Sequence, residues 1–246
     1  MKISIIIAVY NSHGAVARQV KHFNRMNLPD DIEFIFVDDG SNPPLNIADY
    51  NLKNLRIHHT NDKRPWTQGL ARNAGAKLAT GEYLLMTDID HILSKEAIED
   101  VYKFNGSKMA FPRCFGVLLP EGDLNQEMDV LEEYGMVDIK KRRAQNNLGV
   151  SKHGNTFAIK KSIFDKLGGY NPKYCAYGHY AGPKRGEDCY FNGAWGRYAS
   201  ASGLKEELGS KIYIFPIGKY HINGDKNPMG LFHNLSRELT QQPLKK

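Results

Sequence analysis

The stretch Tyr83-Leu84-Leu85-Met86-Thr87-Asp88-Ile89-Asp90-His91 decides how the rest of the sequence is read. Gly81 opens it, and residues 83–86 form a continuous apolar run, the pattern of a central strand covered on both faces. Asp88 and Asp90 follow where that strand ends. Their i, i+2 spacing points both carboxylates the same way if the backbone stays extended, and it turns His91 away from Asp90. Two like charges at the end of a buried strand repel and cost desolvation. A hard divalent cation, with its preference for oxygen ligands, relieves both costs. An isolated D-x-D is also the ordinary polar turn after a strand, so its meaning depends on what surrounds it.

Ile3-Ser4-Ile5-Ile6-Ile7-Ala8-Val9 is apolar and largely β-branched, an interior strand. Tyr10-Asn11-Ser12 breaks it and can cap a helix over about 13–26, where Val16, Val20 and Phe23 recur at helical spacing. Phe34-Ile35-Phe36-Val37 is a second strand that ends in acids, Asp38-Asp39-Gly40-Ser41, and residues 55–58 read as a third. Residues 68–78 read as a helix of small residues that packs closely on a sheet. Further on, residues 109–111 and 155–159 read as strands, 126–134 and 161–167 as helices, and 212–215 as a last strand. Glu187-Asp188 opens a helix whose Phe191, Trp195 and Tyr198 share a face. Strands alternating with helices indicate an α/β fold built on one mostly parallel sheet. Ligands bind such sheets outside the carboxyl ends of the strands, and both acid pairs fall there. There is no G-x-G-x-x-G after the first strand and no G-x-x-x-x-G-K-[ST] in the sequence, so the usual phosphate-binding loops are missing.

The 246 residues show no repeat and no linker, which suggests one domain with a first half over about 1–105 and a second over 106–246. No leader of the charged-then-apolar kind precedes the first strand, and no apolar run is long enough to span a bilayer. The three cysteines, Cys114, Cys175 and Cys189, form no C-x-x-C pair, which fits reduced thiols and a cytoplasmic setting. The net charge of +6 is concentrated partly in Lys140-Lys141-Arg142-Arg143 and Lys245-Lys246. Such a surplus suits a phosphate-bearing ligand and at most peripheral membrane contact. No aromatics interleave with the basic run, so nucleic acid is not an expected partner.

Together these segments resemble the nucleotide-sugar glycosyltransferases of the GT-A fold, family 2 in particular. Val9-Tyr10-Asn11 is similar to that family's opening, and Phe36-Val37-Asp38-Asp39-Gly40-Ser41 to its nucleotide-binding strand end. Gly69-Leu70-Ala71-Arg72-Asn73-Ala74-Gly75 resembles its G-x-A-x-x-R-N-x-G region, one residue short. Gly81-Glu82-Tyr83 through Asp90 resembles its D-x-D element, with His91 where an acid is frequent. Asn155-Thr156-Phe157-Ala158, Gly168-Gly169-Tyr170 and Glu187-Asp188 are similar to its acceptor half, although a long stretch rich in Gly, Tyr and His separates the last two.

The resemblance implies a metal-dependent enzyme that moves a sugar from a nucleotide-sugar, a UDP-sugar in the first instance, to a hydroxyl of a glycan or other acceptor, with inversion favoured. By that resemblance Asp39 accepts a hydrogen bond from the uracil ring, and Ala8 and Tyr10 line the base pocket. Arg72 is implied either to touch the diphosphate or to hold Asp39. Asp90 is implied as a ligand of Mn²⁺ or Mg²⁺, with Asp88 nearer the ribose or sharing the ion, and Asp188 as the base. His221 is a further candidate ligand, with His91 as its rival. An imidazole donor of this kind suits Mn²⁺ better than Mg²⁺. Trp66 and Tyr177 are candidates for stacking on a sugar. Two alternatives are a nucleotidyltransferase and a non-catalytic nucleotide-sugar-binding protein. The first would favour a Gly/Arg/Lys-rich loop after the first strand, which Tyr10-Asn11-Ser12-His13-Gly14 does not supply.

Overall fold

The structure, a computed structural model, describes residues 2–64, 67–115, 152–175 and 186–214. Among these, strands β1 (Ile3–Val9), β2 (Ile32–Asp38), β3 (Leu55–His59) and β4 (Tyr83–Thr87) form a parallel block in the order β3-β2-β1-β4. The sheet continues through β7 (Lys152–Lys160), β6 (Lys108–Phe115), β9 (Ile212–Ile214) and β5 (His91–Leu93), while β8 (Glu206–Leu208) pairs with β6. Of the eight strand pairings, five are parallel and three antiparallel, so the expected α/β fold with one mostly parallel sheet is what forms.

Every residue of β1, β2 and β4 is buried. This follows from covering both faces: alternate residues enter different cores. Ile3, Ile5, Ile7 and Val9 join the core under α1 (His13–Arg25) and α3 (Lys95–Lys103). Ile6 and Ala8 join the opposite core, under α2 (Gln68–Leu78), α4 (Lys161–Lys166) and α5 (Glu187–Ser202). Phe191, Trp195 and, partly buried, Tyr198 face that second core together, as their spacing predicts.

The chain runs from β1 out to β2 and β3 and then returns to β4 on the other side of β1. The carboxyl ends of β1 and β4 therefore flank a switch point in strand order, where open α/β sheets form a crevice. Residues 10–12, 38–41 and 88–91 all emerge there. Ser12 does stand at the N-terminus of α1, but its hydroxyl donates to the Tyr10 carbonyl at 2.8 Å and makes no cap bond to the helix. The short β5 and α3, the latter capped by Ser94 Oγ accepting from Ala97 N–H at 3.1 Å, follow the acidic turn without an equivalent in the sequence reading. The expected helix over 126–134, the basic run of residues 140–143, and Trp66, Tyr177 and His221 lie outside the described residues. Among the described residues no helix is long and apolar enough to cross a membrane.

Helix α2 lies unusually close to the sheet. A Cβ added at Gly75 would stand 2.6 Å from Ile6 Cγ2 and 3.0 Å from Val37 Cγ2. Gly75→Ala should therefore lower stability by about 1–2 kcal/mol, because overpacking costs about 1–3 kcal/mol and the helix-propensity gain is at most about 1 kcal/mol. The urea midpoint of the variant measures this; an unchanged or higher midpoint would mean the contact yields freely.

Candidate active site

Two adjacent acids end β2 and do different work. Asp38 is structural: Oδ1 accepts from Ser41 N–H and Oδ2 from Leu45 N–H, each at 2.8 Å, and His59 Nδ1 stands 3.1 Å from Oδ2. Burial pushes its carboxyl up, but hydrogen bonds from Ser41, Leu45 and His59 outweigh burial and hold it below the usual carboxylate range. Asp39 turns the other way. Thr67 donates to its Oδ2 at 2.6 Å and Thr60 to its Oδ1 at 3.1 Å, fixing a carboxylate that is 2% exposed. Beside it, Asn11 takes the left-handed conformation (φ 48°), and its N–H donates to Ser41 Oγ at 2.9 Å. Half-exposed Tyr10 leads out of β1, one residue beyond the strand's pairing with Asp38, and Ala8 is buried two residues earlier.

After β4 the chain does not stay extended. His91 N–H donates to the Asp88 carbonyl at 3.1 Å, closing a turn. This reverses the expectation that His91 points away from Asp90. One ligand atom each from Asp88, Asp90 and His91 lie within 4.8 Å of one another. His91 Nε2 is 3.6 Å from Asp88 Oδ2 and 3.9 Å from Asp90 Oδ1.

The turn is clamped from both faces of the sheet. On one side, α1 supplies Arg18 Nη2 and Gln19 Nε2, each donating to the Ile89 carbonyl at 3.0 Å, and Gln19 Nε2 also reaches the His91 carbonyl at 2.6 Å. On the other, Gln68 and Arg72, one helical turn apart on α2, both donate to Asp88 Oδ1, Gln68 at 2.8 Å. Arg72 is fully buried against the Tyr170 ring, 5.6 Å from its centroid. Burial opposes its charge, yet Asp88, with Tyr170 and Glu187, raises its pKa above that of a free guanidinium. Arg72 thus holds Asp88 and not Asp39, whose Oδ2 is held by Thr67 instead.

The far wall is β7. Its register against β6 shifts between Phe157 and Lys152, a bulge-like irregularity whose span takes in Gly154, Asn155 and Thr156. Bulges of this kind re-aim side chains beside functional sites. Thr156 Oγ1 meets His91 Nδ1, and lies 3.2 Å from Thr87 Oγ1. The first contact orients the ring so that Nε2 faces the two acids. Two residues along, Asp188 packs on Gly154: its Oδ2 is 3.0 Å from where a Cβ would stand. Asp188 lies in the first turn of α5, half-buried, and its Oδ1 accepts from Cys189 N–H at 2.7 Å.

Two carboxylates and an imidazole, with Asp88 Oδ1 already occupied by α2 and His91 Nδ1 by Thr156, form a donor set that fits a divalent ion such as Mn²⁺. A family model for glycosyl transferase family 2 matches residues 4–168, which include both acid pairs and the bulge. The chain belongs to glycosyl transferase family 2. The poly(ribitol-phosphate) beta-glucosyltransferase of Bacillus spizizenii is 36% identical over 112 residues, which make up 43% of this chain and 17% of the relative. Glycosyltransferase GlyG of Streptococcus pneumoniae is 29% identical over 103 residues, 41% of this chain and 34% of the relative. The poly(ribitol-phosphate) beta-N-acetylglucosaminyltransferase TarS of Staphylococcus aureus is 32% identical over 110 residues, 42% of this chain and 19% of the relative. The chain thus spans between 17% and 34% of the length of these curated relatives. Among solved structures, S. aureus TarS 1-349 in complex with UDP superposes with a TM-score of 0.56 at 16% identity, covering 88% of this chain and 61% of that one. The same protein with UDP-GlcNAc gives 0.54 at 18% identity over 90% and 60%. These likenesses show a shared fold.

In this family 2 domain the sequence-predicted Ala8, Tyr10, Asp39, Arg72, Asp88 and Asp90 gather at the switch point, and Asp188 stands across the β7 bulge from them. Sequence reasoning passed over Thr60, Thr67 and Thr156, for which no local pattern gives a signal. It also passed over Gln68, whose i, i+4 spacing to Arg72 was readable. Arg18, Gln19 and His22 were signalled as well, being polar residues set into the apolar face of α1.

His22 carries the clamp to β5. Its Nε2 donates to the Leu93 carbonyl at 2.8 Å while its Nδ1 accepts from Arg25 at 3.1 Å, an arrangement only a neutral ring can make. Burial pushes its pKa down to about 4; the Leu93 carbonyl opposes the shift, and Arg25 and Arg18 add to it. A depressed folded-state pKa gives stability that is complete above the unfolded value of about 6.5 and is lost as pH falls through the window to about 4. The unfolding free energy should therefore fall by up to about 3 kcal/mol across that window, and His22→Gln should remove most of the slope. Urea unfolding at pH 7, 5.5 and 4 provides the measurement, and equal slopes in both proteins would contradict it.

Proposed function

We propose that this protein transfers a sugar from a uridine diphosphate sugar to a hydroxyl of a glycan or similar polyol acceptor, with inversion at the anomeric carbon. The observation that carries the reading is the convergence, in a family 2 chain, of Asp39, the Asp88–Asp90–His91 cluster and Asp188 on one crevice. Asp39, held in place by two threonine hydroxyls, is suited to accept the ring N–H of uracil, with Ala8 and Tyr10 lining the base pocket. The solved relative's complexes with UDP and UDP-GlcNAc support a uridine donor.

Asp88, Asp90 and His91 would hold Mn²⁺ or Mg²⁺. A cation bound there would neutralise the charge that builds on the leaving diphosphate. His221, outside the described residues, competes with His91 for the imidazole role. Asp188 takes the proton of the acceptor hydroxyl. The acceptor oxygen then forms its bond to the anomeric carbon as the bond from that carbon to the diphosphate oxygen breaks, and the diphosphate leaves with the electron pair. Attack opposite the leaving group inverts the centre. Residues 1–105 supply the donor machinery, and residues 106–246 the acceptor side, as one unit. A cytoplasmic setting accords with a nucleotide-sugar donor.

Calorimetry with UDP tests the donor half. UDP binding should be strong with Mn²⁺ and weak in EDTA, and Asp39→Ala should weaken it on the order of tenfold, the worth of one charge-assisted hydrogen bond. Mn²⁺ titration in the presence of UDP should be weakened by His91→Ala, and equal binding by wild type and His91→Ala would remove that residue from the ligand set. The base has its own test: Asp188→Asn should keep UDP affinity and lose on the order of 10²–10⁴-fold in transfer. Transfer at near wild-type rate in Asp188→Asn would place the base elsewhere.

A further inference from the structure

Lys108 is 2% exposed, a position at which a charged side chain is costly. Its ammonium lies 4.9 Å from the Phe157 ring centroid and 5.7 Å from that of Trp195. It donates to Glu206 Oε1 at 2.6 Å and to Asn192 Oδ1 at 2.9 Å. Burial lowers its pKa, and the Glu206 charge and hydrogen bond oppose that shift. Stability does not call for a lysine here. A buried ion pair is often no better than apolar side chains of the same volume, and Glu206 is also paired with Lys152.

The consequence of the lysine lies in Asn192. An ammonium can only donate, so it fixes the carboxamide with its oxygen towards Lys108. The amide nitrogen must then face the other way. There it donates to the Gly154 carbonyl at 3.0 Å and to the Asp188 carbonyl at 2.8 Å. One side chain thus ties the first turn of α5 to the β7 bulge at the point where the Asp188 carboxylate rests on Gly154. Without the ammonium the amide keeps its two carbonyl partners but loses the charged donor that anchors its oxygen, so the side chain is held from one end only.

We propose that Lys108 and Asn192 are positioning residues for Asp188: the buried ammonium polarises the Asn192 amide, and the amide ties the Asp188 backbone to the β7 bulge and so places its carboxylate there. The inference rests on the reading of Asp188 as the base. Both act through the placement of Asp188. Misplacement of a reacting group by as little as about 1 Å can cost about a hundredfold in rate.

The experiment uses the full chain with four variants: Lys108→Met, Asn192→Asp, Asp188→Asn and the double variant Lys108→Met/Asp188→Asn. Asn192→Asp is nearly isosteric and retains an acceptor for Lys108, but it cannot donate to the two carbonyls, so it tests the same link if Lys108→Met does not fold. The expected result is a ten- to hundredfold loss of kcat in Lys108→Met and Asn192→Asp, with UDP affinity by calorimetry and donor KM within about twofold of wild type. The double variant should be no slower than Asp188→Asn alone, because both changes act on one group. A kcat near wild type in folded Lys108→Met and Asn192→Asp, with Asp188→Asn inactive, overturns the positioning role and leaves the base assignment standing. Additive losses in the double variant, or a parallel loss of UDP affinity, also overturn it, since they indicate a general structural defect. If Asp188→Asn itself transfers normally, the base assignment fails and this inference falls with it.

Discussion

The pairing of Arg72 with Asp88 is the contact on which the candidate site depends. The guanidinium is wholly buried, so it is tolerated only with a counter-charge at hand, and Asp88 at the end of β4 is the acid that supplies it. The pair joins helix α2 to the end of the central strand. It also commits one oxygen of Asp88 and directs the other towards His91 and Asp90. The approach is possible because Gly75 lets α2 settle onto β1 and β2. Three residues earlier on α2, the same descent carries Arg72 down to the strand end. Asn73, next to Arg72, reaches outward and binds both backbone polar groups of Tyr170, at 2.7 Å and 2.9 Å, so the helix that holds Asp88 also holds the chain just after α4.

The acidic turn is held by side chains from three directions, and each hold has a different physical character. The α1 side chains bind carbonyls of the turn and fix its backbone. The α2 side chains bind a carboxylate and fix charge. Thr156 binds a ring nitrogen and fixes orientation. The division explains why two acids and a histidine can stand so near one another: Asp88 and His91 each have a side-chain partner outside the cluster. Asp39 follows the same logic on the neighbouring strand, with both oxygens met by hydroxyls that cannot neutralise it. The result is a group of acceptors whose geometry is set before any cation or nucleotide arrives.

The second half is built on antiparallel additions to a parallel core. β7 adds to β4, and its bulge turns Gly154 and Thr156 towards opposite tasks within three residues. Thr156 meets the metal-type cluster, whereas Gly154 leaves room for the Asp188 carboxylate. The acid–histidine cluster and Asp188 therefore meet on one strand, and the distance between them is a property of a local backbone irregularity rather than of two separately packed units.

The sequence by itself determined the α/β class, the parallel core and the two acid-bearing strand ends. Buried strands need unbroken apolar runs, and the acids that stop those runs mark the carboxyl edge; both are one-dimensional patterns. It also determined the small-residue character of α2, which is why the close helix–sheet contact was legible. The tertiary structure alone decided which acid does which work. Asp38 and Asp39 are adjacent and alike in sequence, and only the partners brought by residues 41, 45, 59, 60 and 67 make one a turn-former and set the other as a candidate site residue. The same holds for His91. Period-two reasoning sends its side chain away from Asp90, but that rule fails once the backbone turns, and the turn is imposed by Arg18 and Gln19 from a helix some seventy residues earlier in the chain. Contacts of that range leave no local trace in the sequence, because the side chains that make them carry no sign of where the fold will bring them.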